Sequence, residues 1–124
     1  MSTRKPNAKP VTVPAALHDQ IALGMRLLYE SVKVEPRLDS INHLAQLLGM
    51  VGLAIEEDKR FKPESAQVDS AMRALDQIVV GTSGPTQAES VLAAVNAADK
   101  ILPRLLVEKL HKANLRMYDI TALK

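Results

Sequence analysis

The apolar residues of this chain are almost all aliphatic: seventeen leucines and sixteen alanines stand against Tyr29, Phe61 and Tyr118, with no tryptophan. A core with so few rings has to be built from interlocking aliphatic layers, and Leu and Ala are strong helix formers. Few stretches alternate with period two or gather β-branched and aromatic residues, the pattern by which a strand packs on a pleated surface. The chain therefore reads as all-α, with no sheet. With 47% hydrophobic residues over 124 positions, it can build one real core and has no room for a second domain.

Spacing and punctuation predict a compact bundle of about four helices. Residues 1–12 combine Arg4, Lys5 and Lys9 with Pro6 and Pro10 and offer little to bury, so they read as a mobile basic arm ahead of a single helical domain over 13–124. Pro14 suits a first helical turn, and Leu17, Ile21, Gly24, Met25, Leu28 and Val32 then mark one face as far as Lys33. Pro36 is expected to open a second helix with Leu38, Ile41, Leu44, Leu48, Val51 and Ile55 at spacings of three and four. Leu47, Met50 and Leu53 carry its apolar surface most of the way round, so this helix is either the hub of the bundle or part of a dimer interface. It ends in the charged run Glu56 to Arg60. Pro63 is expected to start a third helix, with Asp69 and Arg73 placed to pair across one turn.

Gly81 to Pro85 reads as a connection between helices. Thr86 followed by Glu89 has the spacing of a capping box, in which each side chain satisfies an orphan N–H at a helix start. The last helix is expected to be long, through Val91, Leu92, Val95, Leu102, Leu106 and Leu110, and kinked or split at Pro103, which removes a donor and clashes with the preceding turn.

Several functions are disfavoured by what is missing. Without Cys there is no disulfide, thiolate metal site or Cys nucleophile, which fits a reducing, cytoplasmic setting. The N-terminal segment lacks the unbroken apolar stretch of a signal peptide. The longest apolar-rich run, Leu44 to Ile55, falls short of the roughly 20 residues that a membrane crossing needs. Gly81 and Gly84 flank Thr82 and Ser83 without the lysine of a phosphate-binding loop.

Three patterns remain. Ile41 to Arg60 half-matches a helix-turn-helix, but its second helix would begin Val51, Gly52, Leu53, Ala54 and run into Glu56, Glu57 and Asp58, which give no donors to base edges and repel phosphates. A continuous core helix is the simpler reading. Glu108 and His111 form one Glu-x-x-His pair, with Asp39 and His43 as the other acid and histidine close in sequence; a di-iron bundle site needs two such pairs and two further carboxylates. Arg104, Lys109, Lys112 and Arg116 make the end of the chain basic, with the last three on one face that suits an acidic partner or phosphates. A net charge of +2 and the lack of aromatic platforms weigh against nucleic acid, which stays the alternative.

No catalytic residue and no cofactor is assigned. The sequence reads as a non-catalytic interaction or regulatory module that works through helix surfaces on a protein partner or on a second copy of itself, away from the membrane. The carboxylate and histidine metal-binding bundle is the second alternative.

Overall fold

The computed structural model describes residues 10–122, with side chains through residue 119. Five α-helices lie among the described residues: α1 (Ala15–Val34), α2 (Leu38–Ile55), α3 (Lys62–Val79), α4 (Pro85–Ile101) and α5 (Val107–Ala122). Short 3-10 turns lead into α3 at Lys59–Phe61 and out of α4 at Leu102–Arg104. The all-α class holds, and the described residues form no strand beyond one isolated bridge.

The prolines set the boundaries, though not always where their spacing suggests. Pro14 is the N-cap of α1, in extended conformation. Pro36 does not open α2. It holds the residue before it out of the helical region; Glu35 is extended, α1 has ended, and α2 begins two residues later with Arg37 as its cap. At the far end, α4 stops at Ile101 and Pro103 lies inside the following 3-10 turn, so the long last helix of the sequence reading is two helices, α4 and α5. The capping box at Thr86 and Glu89 is not formed either. Pro85 takes the first helical position and Gly84 the N-cap, which places Thr86 inside the helix with no side-chain cap.

α2 is the hub. It packs against α1, α3, α4 and α5, and Leu44, Leu48 and Val51 are fully buried along it. It is also the one described helix long and apolar enough to fit a membrane span by length and composition; neighbouring helices bury Ile41, Leu44, Leu48, Met50, Val51, Ala54 and Ile55 of it. Two glycines allow the close approach. A Cβ at Gly52 would lie 2.9 Å from Cγ1 of Val68 on α3, and one at Gly49 would lie 2.9 Å from the thioether end of Met117 on α5. Of the residues named as hub or dimer surface, Met50 is buried, while Leu47 and Leu53 are partly buried and packed against the core. Arg73 donates to Ser70 Oγ (3.3 Å) and forms no ion pair with Asp69.

Two chain connections are firmly built. α3 ends in a double closure: Gly81 N–H donates to the Ile78 carbonyl (3.1 Å) and Thr82 N–H to the Gln77 carbonyl (2.8 Å), with Gly81 at φ 100. That backbone suits glycine because a Cβ is disfavoured there. At the other end of the molecule, Val11 to Val13 lies beside Leu105 to Val107. Val13 N–H donates to Leu105 O and Val107 N–H to Val11 O, both at 2.9 Å. The part of the expected arm that falls in residues 1–9 lies outside the described residues; Val11 and Thr12 are instead tied to the α4–α5 connection, with Thr12 bridged to Leu106.

Candidate functional site

One polar cluster joins residues that no local pattern connects. His18 and Arg26 lie two turns apart on α1 and converge on Asp99 near the end of α4. His18 Nε2 lies 2.6 Å from Asp99 Oδ1 and 3.0 Å from the Asp99 carbonyl oxygen. Both partners only accept, so Nε2 carries the proton. Arg26 donates to Asp99 Oδ2 at 2.7 Å and to Asn96 Oδ1 at 3.1 Å. Hydrogen bonding from Arg26, supported by His18, holds the Asp99 carboxyl below its ordinary range despite partial burial. With Nε2 committed as a donor to Asp99, the histidine is fixed as a clamp between α1 and α4.

A second polar joint links α2 and α5. Arg116 Nη1 donates to Glu56 Oε1 at 2.6 Å. Lys109, Lys112 and Arg116 line one surface with Glu56 and Glu57, and Lys112 also pairs with Glu108 at 3.9 Å. Next to them Asp58 caps the 3-10 turn by accepting from the Arg60 N–H and side chain. Arg60 pulls its carboxyl down to about 2, with a smaller contribution from Lys109. The predicted basic face therefore lies against the acidic end of α2. Arg104 is drawn elsewhere: its guanidinium and that of Arg60 each sit 4.9 Å from the centre of the buried Phe61 ring, a pair of cation–π contacts.

Glu108, His111, Asp39 and His43 are all exposed. Among the described residues no group of three or more His, Cys, Asp or Glu side chains is gathered where it could hold a metal ion. Nor is any polar or charged residue fully buried among them.

What the sequence reading missed is on α1. Its buried face carries Ala22, Met25, Tyr29 and Val32. The opposite face carries Leu23, Leu27 and Val34, exposed by 59%, 62% and 83%. At 100° per residue these three fall within one narrow sector. Gly24 lies at the flank of this sector, and a Cβ there would be in ordinary contact with Leu47 of α2 at 3.8 Å. Leu47 thus extends the stripe onto the next helix. The signal was present in the spacing of 23, 27 and 34, but a leucine-rich helix offers more than one apolar face, and the buried one accounts for the stronger periodicity.

Comparison with known proteins adds no name to this surface. The chain matches no protein-family model, no curated protein and no solved structure.

Proposed function

We propose that this chain is a non-catalytic interaction module that associates with a second copy of itself through the outer face of α1. The observation that carries this reading is the stripe Leu23, Leu27 and Val34, which no described residue covers. In an antiparallel crossing of two α1 helices about a two-fold axis near residue 25, Leu23 of one copy faces Leu27 of the other, and the reverse. The stripe is self-complementary in the sense a two-fold interface requires. Exposed apolar area of this kind favours association because contact removes it from water, at about 25 cal/mol per Å². The basic residues of α5 give less support to a nucleic-acid surface, since Arg116 is engaged by Glu56 and Lys109 lies beside Asp58.

Light scattering on the eluting peak of a size-exclusion column tests the proposal. The unaltered chain is expected to run as a dimer, and Leu27→Glu as a monomer with unchanged helical circular dichroism. A wild-type monomer at high concentration would overturn it.

A further inference from the structure

A cleft of about 310 Å³ opens between α1, the end of α3 and the start of α4. Val32, Ile78, Ala88 and Val91 give it an apolar lining, and Tyr29, Lys33 and Gly84 line it beside them. Three features of that lining point to a ligand. Tyr29 is 93% buried by the complement of its 7% exposure, and its hydroxyl makes no hydrogen bond among the described residues. That hydroxyl is also not sealed off from solvent. With no partner among the described residues and with access to solvent, that O–H is a donor that a ligand can take over from water. Lys33 holds its ammonium over the Tyr29 ring, 5.3 Å from the centre, with only a loose 3.7 Å contact to Glu30. Gly84 caps α4 without a side-chain bond, which leaves the positive end of that helix and its free N–H groups beside the cleft.

We infer that the cleft binds a small monocarboxylate with an apolar tail, such as a medium-chain fatty acid. The tail fills the aliphatic walls, and the carboxylate accepts from the Tyr29 hydroxyl while facing the Lys33 ammonium. One flexible cation suits a single negative charge, and the mainly aliphatic lining favours a ligand that carries an apolar tail over a bare phosphate. The volume is at the lower end of small-molecule sites. This site lies on the opposite side of α1 from the Leu23 and Leu27 stripe and does not depend on self-association.

The test is calorimetric titration of the full chain with octanoate, octanol and octylamine, alongside amide chemical shifts. Octanoate is expected to bind most tightly, with shifts concentrated at residues 83–88. Tyr29→Phe, which keeps the ring, should weaken octanoate about tenfold, the effect of losing one hydrogen bond to a charged group. Lys33→Met should weaken octanoate and leave octanol unchanged. Ala88→Leu, which fills the cleft from one wall, should abolish binding of both. Absence of octanoate binding at millimolar concentration, equal binding of octylamine, or an unchanged affinity in Tyr29→Phe would each overturn the inference.

Discussion

Among the described residues two charged joints hold pairs of helices together, and they differ in depth. At the α1–α4 joint, Asp99 receives Arg26 and His18 from one helix face, with side chains 30%, 44% and 21% exposed. At the α2–α5 joint, Glu56 and Arg116 meet at a similarly short distance but are 39% and 56% exposed, with a single hydrogen bond between them. Distance alone would rank the two as equals. Depth and the number of groups sharing one carboxylate rank them otherwise, because water competes for an exposed pair and two long side chains lose freedom in making it. The α1–α4 joint should act as a structural fastening, and the α2–α5 joint as a soft surface match.

The largest expected effect is at Asp99. Asp99→Ala removes the shared acceptor of both partners and should cost about 2 kcal/mol in urea unfolding, typical of hydrogen bonds to a charged group. A loss no greater than that of the Glu56 variant would break the comparison. Next are the glycines of α2. Gly52→Ala forces a Cβ onto Val68, whose branched side chain has one favoured rotamer in a helix, and should destabilise by about 1 to 2 kcal/mol. Gly49→Ala meets only flexible side-chain ends, that of Met117 at 2.9 Å and that of Met72 at 3.9 Å. Its gain in helix propensity should offset the crowding and leave stability within about 0.5 kcal/mol of wild type. Thermal denaturation of the two variants side by side measures how far the α5 side yields.

Acid titration sharpens the comparison further. Asp99 has a folded-state pKa below its ordinary 3.8, so its contribution is fully present above that value and is lost as pH falls through the lower, folded one. Stability should decline on acidification below about pH 4. In Asp99→Asn that decline should be shallower, as read from urea midpoints across the acid range. The smallest effect belongs to Glu56→Gln, expected to cost less than about 0.5 kcal/mol and to be masked by added salt. A salt-resistant loss would show that the joint is drier than its exposure implies.

The helical class and the run of the first three helices were legible because aliphatic periodicity and prolines act within a few residues of one another; the expected long last helix is instead α4 and α5, separated by the turn that holds Pro103. α2 as the hub could be read from Leu47, Met50 and Leu53 widening its apolar surface. What local patterns could not show was contact between distant positions. His18 and Asp99 are 81 residues apart, and nothing near either names the other. Arg104 looked like a free cation until the fold brought Phe61 beneath it. The Thr86 and Glu89 spacing was a fair capping signal, overridden because Pro85 is better suited to the first helical position and moved the cap to Gly84. The Tyr29 cleft likewise depends on how α3 turns into α4, which the glycines announced only as a break.

The pairing of Val11–Val13 with Leu105–Val107 has a kinetic consequence. It closes the chain between its first described residues and the hinge before α5, at opposite ends of the sequence, so its loop-closure entropy is large and its hydrogen bonds are among the last that folding can form. Interactions absent from the transition state act mainly on unfolding. The clasp therefore governs how long the native bundle persists more than how quickly it assembles, and slow exchange at the Val13 and Val107 amides would time its opening.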